Sequence, residues 1–235
     1  MPTAAERKAL TKGLERLGEN MVTLAELSEL AIRKAVAGLA TLDPTIEEEV
    51  FVLDQEIYAL QLEIEKDCGD LIALHAPVAK DLRAITTSLK ITTDLDRIGR
   101  YAKDIAELTL QFRGRDPEHR RYLGSIPRMA EITIQMVDTA TQAFVDRNAE
   151  AVRNLEEVDD TVDALHDAAF RETVGYMQAG TLDVEVGARY ILVSRYLERI
   201  ADHAVNIGQR VIYMVTGERP PRIRAAERAK RPRPT

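Results

Sequence analysis

The sequence predicts an all-α fold: six long helices arranged as two tandem three-helix bundles related by an internal repeat. Three observations carry that expectation. Apolar residues make up 45% of the 235 positions and charged residues 30%, while aromatics are 5% and tryptophan is absent. That is the balance of long helices packed through Leu, Ile, Val and Ala. Gly and Pro cluster at a few places, and the segments between them carry helical periodicity. Finally, the second half repeats the first. Asp54-Gln-Glu-Ile-Tyr-Ala-Leu60 matches Asp159-Asp-Thr-Val-Asp-Ala-Leu165 at an offset of 105, and Leu95-Asp-Arg-Ile-Gly-Arg-Tyr-Ala-Lys-Asp-Ile105 matches Leu197-Glu-Arg-Ile-Ala-Asp-His-Ala-Val-Asn-Ile207 at 102. The slip between the offsets falls in the connections, where insertions are tolerated.

The punctuation defines the elements in order. The first helix runs from about Glu6 to Leu39. Asp43-Pro44 then supplies an N-cap and a proline at the first helical position, with Glu47, Glu48 and Glu49 near the positive end of the dipole, and this second helix runs to about Leu74. Pro77 opens a third that continues to Phe112, and the Gly114 to Pro117 stretch breaks the pattern. Ser125 and Pro127 start a fourth helix to Phe144, Asn148 a fifth to about Gly180, and Thr181 or Asp183 caps a sixth that ends at Gly217. The expected division is a first bundle over 1–113, a second over 118–217 and a tail over 218–235. In the sixth helix Val193, Leu197, Ile200, Ala204, Ile207, Val211 and Met214 recur at alternating spacings of 4 and 3, a heptad seam. Val158, Val162, Leu165 and Ala169 keep the same rhythm in the fifth, so the two helices are expected to lie side by side, nearly antiparallel.

Composition narrows the function classes. One cysteine, Cys68, allows no intrachain disulfide and suits a reducing compartment; its position reads as a small core residue. No apolar stretch is long enough for a secretion signal or a membrane span, so a cytoplasmic protein without membrane insertion is expected. The formal charge of −7 is uneven: from Gly217 onward seven basic residues face two acidic ones, which leaves −12 on the body. An acidic body argues against a nucleic-acid groove, and the proline-rich basic tail is expected to be a disordered arm.

Candidate chemistry lies in paired carboxylates. Glu198 and Asp202 stand one turn apart beside the seam of the sixth helix, and Asp159 and Asp163 do the same on the fifth. If the helices pack antiparallel, four acids gather on one patch, where a cation relieves their repulsion. All-oxygen ligation favours a hard cation such as ferric iron, manganese, magnesium or calcium. The competing reading makes them solvated pairs with Arg195 and Arg199 beside them. The first repeat keeps Asp54 and Asp96 but has Tyr58 and Arg100 where the second has Asp163 and Asp202, so its patch is expected to hold an ion pair from Asp96 or Asp54 to Arg100. His166 and His203 stand near the second patch in sequence, and His75 and His119 read as loop or helix-end residues. No glycine-rich phosphate loop, nucleophile elbow or Cys/His finger spacing is present in the sequence.

The two copies of Leu95-Asp-Arg-Ile-Gly-Arg-Tyr-Ala and Leu197-Glu-Arg-Ile-Ala-Asp-His-Ala-Val-Asn-Ile resemble the signature helix of the PhoU family. Ile64-Glu-Lys, Pro77-Val-Ala-Lys-Asp-Leu-Arg83 and Val211-Ile-Tyr-Met-Val-Thr-Gly217 extend the resemblance from about Glu6 to Gly217. It implies two three-helix bundles whose E(D)xxxD motifs, in some members, bind multinuclear iron or zinc clusters. Glu198 to Asp202 match that motif, whereas Asp96 to Arg100 depart from it at the final acid. It also implies an adaptor without catalysis, which restrains phosphate uptake and starvation signalling by contacting the ATPase of the phosphate ABC transporter and a sensor histidine kinase. A homodimer is the expected assembly. Two other readings stay open: a ferritin-like di-metal carboxylate enzyme, suggested by Asp163-x-x-His166 but lacking a second acid-x-x-His because Ala201 stands there, and a helical regulator outside phosphate control.

Overall fold

The computed structural model describes residues 4–112 and 117–219. The expected tail therefore lies almost wholly outside the described residues. Six α-helices account for most of the fold: α1 (Ala4–Thr41), α2 (Pro44–His75), α3 (Ala79–Leu110), α4 (Ile126–Asp146), α5 (Leu155–Gln178) and α6 (Val184–Thr216). Short 3-10 turns at Pro117–Tyr122 and Glu150–Val152 join them, and no strand occurs among the described residues.

The helix ends follow side-chain chemistry. Asp43 caps α2 by accepting from the Thr45 backbone N–H at 3.0 Å. Asp183 caps α6 by accepting from Glu185 and Val186. Gly217 ends α6 in the left-handed region (φ 80°), with its N–H donated to the Tyr213 carbonyl, a backbone state that a residue with a Cβ adopts at a cost. Two starts differ from the sequence expectation. Ser125 precedes α4 but does not cap it; its N–H and hydroxyl both donate to Glu172 of α5, at 2.8 and 2.9 Å. Asn148 does not open α5, because its side-chain oxygen accepts from the Glu150 N–H at 3.1 Å and stabilises a local turn that continues as the 3-10 segment. Regular α-helix resumes only at Leu155.

Helices α1, α2 and α3 pack on one another, as do α4, α5 and α6, and α3 packs on α6 as extensively as on its own neighbours. The two triplets therefore share one wall. All seven seam residues of α6, from Val193 to Met214, are buried. On α3 three consecutive residues, Asp94, Leu95 and Asp96, are buried, as expected of a helix enclosed on more than one side. Tyr101 of α3 stacks on Tyr196 of α6 with ring centroids 5.8 Å apart. The connection between the triplets also ties back: His119 contacts the Leu39 carbonyl at 2.8 Å and Arg120 donates to Ala40, satisfying carbonyls at the end of α1 that have no helical partner. Cys68 is buried as expected, and burial beside Asp67 and Glu65 pushes its thiol up to about 12. Among the described residues no helix is long and apolar enough to cross a membrane.

Candidate functional site

The α5–α6 pair runs antiparallel. Gln209 donates to Glu156 at 2.9 Å, and His166 lies 3.0 Å from the Ser194 hydroxyl and 4.0 Å from the Glu198 carboxylate. This register brings Asp159 and Asp163 to the level of the stretch of α6 that carries Glu198 and Asp202. The four acids differ in setting. Asp159 is only 1% exposed, whereas Asp163, Glu198 and Asp202 are half-buried. Both α6 acids are engaged by arginines of their own helix: Arg195 pairs with Glu198, and Arg199 with Asp202 at 3.2 Å. In these side-chain positions no group of three or more His, Cys, Asp or Glu among the described residues is disposed to hold a metal ion. The donor types suit a hard cation, and the guanidinium groups now provide the positive charge that such a cation would bring.

The first-repeat patch takes the form expected of it. Arg100 contacts Asp96 at 3.0 Å, and Tyr58 is 47% exposed where the second repeat carries Asp163. Two further residues, which helical spacing does not point to, join this patch: Lys103 reaches Asp54 at 3.4 Å, and burial, then Glu107, pushes the Asp104 carboxyl up. Burial, partly offset by Arg100 and reinforced by Asp54, likewise pushes Asp96 above the usual aspartate range. Asp54, Asp96 and Asp104 thus form one acidic neighbourhood threaded by Arg100 and Lys103.

His203, near the second-repeat patch in sequence, packs away from it. It follows Asp202 directly, but successive helical residues diverge by 100°, and its ring faces α3 instead of α5. There its Nδ1 lies 2.9 Å from Asp94 Oδ1, and Arg210 donates to the other Asp94 oxygen at 2.9 Å. His75 closes α2 and His119 sits in the 3-10 turn, both at helix ends or connections as read.

This geometry can be set beside known proteins. The PhoU domain profile matches the chain twice, over residues 21–109 and 126–211. The chain belongs to the PhoU family. It is 32% identical over 213 residues to the phosphate-specific transport system accessory protein PhoU homolog of Clostridium acetobutylicum, covering 90% of this chain and 96% of that one. It is 33% identical over 211 residues to PhoU homolog 1 of Mycobacterium tuberculosis, covering 90% and 93%. The crystal structure of the phosphate transport system regulatory protein PhoU from Streptococcus pneumoniae superposes with a TM-score of 0.81 at 26% identity, over 90% of this chain and 99% of that one. PhoU from Pseudomonas aeruginosa gives 0.79 at 30% identity, over 88% and 99%. Both PhoU profile matches include a signature helix: Asp96 lies in the first, Glu198 and Asp202 in the second.

Proposed function

We propose that this chain is a regulatory adaptor of phosphate homeostasis, acting in the cytoplasm as a homodimer. It restrains phosphate uptake and phosphate-starvation signalling by docking on the ATPase of the phosphate ABC transporter and on a sensor histidine kinase. One observation carries the reading: the similarity to proteins named as phosphate transport accessory or regulatory proteins extends over about nine-tenths of both chains, through both repeats. The acidic body and the absence of a catalytic constellation in the sequence support an adaptor over a catalyst.

The proposal includes a metal ion, iron before zinc, manganese or magnesium, held by Asp159, Asp163, Glu198 and Asp202 in place of the two arginines. Asp54 and Asp96 are the weaker first-repeat counterpart, with Arg100 and Lys103 already supplying positive charge. Bound metal without oxygen consumption supports the adaptor over a ferritin-like enzyme; turnover of oxygen supports the enzyme. The docking claim is tested by co-purification of the untagged chain with the transporter ATPase and the sensor kinase from cells grown at high and low phosphate. Retention of either partner is the expected result, and loss of both at every phosphate level defeats the proposal.

A further inference from the structure

One end of the molecule carries an apolar tip. The connection from α2 to α3 leaves Leu74 at 74% and Val78 at 73% exposure, with Ile72 and Leu82 also exposed on the flanking turns. A single exposed apolar side chain is ordinary, but a group of them at one turn marks a surface that meets something. The backbone holds them out: Ala76 (φ 44°) and Ala79 (φ 27°) both occupy the left-handed region, which is costly for a residue with a Cβ, on either side of Pro77 and Val78. The last turn of α6 adds Val215, also exposed, because α6 ends against the start of α3, where a Cβ on Gly217 would stand 3.5 Å from Arg83.

Basic residues ring this tip. On the α1 side Lys12 and Arg16 border a cleft of about 320 Å³ that Leu74 closes from α2. Asp67 and Asp70 line it too, but Asp67 is taken by Arg16 and Asp70 by Lys66 at 2.6 Å. On the α3 and α6 sides stand Lys80, Arg83 and Arg219, beside Asp81 and Glu218. Arg219 lies 5.3 Å from the centre of the Tyr213 ring, and from it the chain continues into 220–235, where Arg222, Arg224, Arg228, Lys230, Arg231 and Arg233 accompany one acid, Glu227. The charge is therefore polarised, +5 from Gly217 onward against −12 before it. The repeat-related turn between α5 and α6 is built differently: Leu182 is buried, and the exposed Val184 stands between Asp183 and Glu185. The apolar tip with its basic ring is thus a property of this turn, not of the repeat.

An apolar tip inside a basic ring matches the layers of an anionic bilayer surface, acyl chains beneath phosphate headgroups. A soluble polyanion would satisfy the bases and leave the tip in water. We propose that this end docks on anionic phospholipid: Leu74 and Val78 enter the boundary between headgroups and acyl chains, while Lys12, Lys80, Arg83, Arg219 and the bases of 220–235 meet lipid phosphates. Repulsion between the acidic body and the surface then keeps the molecule upright on this end. Docking of this kind needs no spanning helix, and none occurs among the described residues.

The test is co-sedimentation of the full chain with phosphatidylcholine vesicles, with and without phosphatidylglycerol. Binding is expected to the anionic vesicles alone, weakened about tenfold by Leu74→Ser combined with Val78→Ser, weakened also when Arg222, Arg224 and Arg228 are replaced by Gln, and unchanged by Val184→Ser at the opposite end. Absence of binding to anionic vesicles overturns the proposal. So does binding that the Leu74→Ser and Val78→Ser variant retains in full, which is what a basic segment drawn to any polyanion gives. Because the sequence lacks tryptophan, Val78→Trp supplies a single emission that reports entry into the bilayer. A blue shift on adding anionic vesicles is expected, with none from Val184→Trp; emission from Val78→Trp that keeps its value in water while the protein sediments also overturns the proposal. The vesicles contain no protein, so a negative result leaves the adaptor reading standing, and failure of the adaptor reading leaves this one standing.

Discussion

Asp94 of α3 bonds both His203 and Arg210 of α6, each at 2.9 Å, from a position only 5% exposed. One carboxylate thereby ties the two repeats at the centre of their shared wall. Asp94→Ala removes both bonds and leaves a buried imidazole and a half-buried guanidinium facing an empty site. The expected loss is about 2–4 kcal/mol, between that of a charged hydrogen bond and that of a broken buried pair. Asp94→Asn keeps one acceptor and is expected to lose about half as much. Urea unfolding of the two variants checks this, and a loss below about 0.5 kcal/mol in Asp94→Ala denies the residue its bridging role.

Two positions along α3 the same type of residue behaves in the opposite way. Asp96 pairs with Arg100, but the arginine is largely exposed, and such pairs contribute at most about 1 kcal/mol. Burial holds the Asp96 carboxyl above its ordinary range, so the fold favours the protonated acid. Its contribution is therefore largest in acid and declines as pH rises through its raised value. Asp96→Asn, which mimics the protonated form, is expected to shift stability by less than about 1 kcal/mol at neutral pH and to flatten the fall in stability above the aspartate range. Thermal unfolding from pH 4 to 8 distinguishes the outcomes: a steep loss at pH 7 means that Arg100 outweighs burial.

These two aspartates also mark what the sequence could reveal. The α6 seam was legible because its 4, 3 spacing is dictated by the helix itself, and Asp43, Asp183 and Gly217 were legible because a cap acts within a few residues of its own position. The Asp96 to Arg100 pair was legible for the same reason, being one turn long. Asp94 was not, because its partners lie 109 and 116 residues away and the repeat aligns it with Tyr196, which offers no hint of a carboxylate role. The start of α5 was misread because Asn148 can serve as a helix cap or a turn former, and only the neighbouring backbone decides which. For the second-repeat acids, shared level along α5 and α6 follows from the antiparallel seam. Rotamers that hand Glu198 and Asp202 to arginines do not follow from spacing, since a long arginine side chain reaches either way.

That ambiguity defines the metal experiment. Replacing Asp159, Asp163, Glu198 and Asp202 together by Ala is expected to abolish tightly bound metal in protein purified without an affinity tag, while Asp96→Ala retains the parent content. Elemental analysis of parent and variants decides it. Equal metal in the fourfold variant and the parent refutes the site, and loss of metal in Asp96→Ala moves it to the first repeat. Removing the four acids also leaves Arg195 and Arg199 without their partners, so circular dichroism must accompany the measurement to separate lost ligands from lost structure.

The close approach of α2 to α3 beside the first-repeat patch rests on one missing methyl group. A Cβ placed on Gly99 would stand 2.7 Å from Cδ1 of Ile57 and 3.3 Å from its Cγ2, with Ile57 fully buried. Two effects then oppose each other in Gly99→Ala. Alanine gains up to about 1 kcal/mol of helix propensity over glycine, while overfilling a packed core costs about 1–3 kcal/mol. The second repeat carries Ala201 at the equivalent position, so the difference lies in the facing residue, Ile57 against Val162. Gly99→Ala alone is expected to destabilise by about 1 kcal/mol. In an Ile57→Val background, which removes the clashing Cδ1 and copies the second repeat, the same substitution is expected to become neutral or stabilising. A double-mutant cycle by chemical denaturation measures the coupling. Additive effects of the two substitutions show that the helices separate to admit the methyl group, and that Ile57 does not set their spacing.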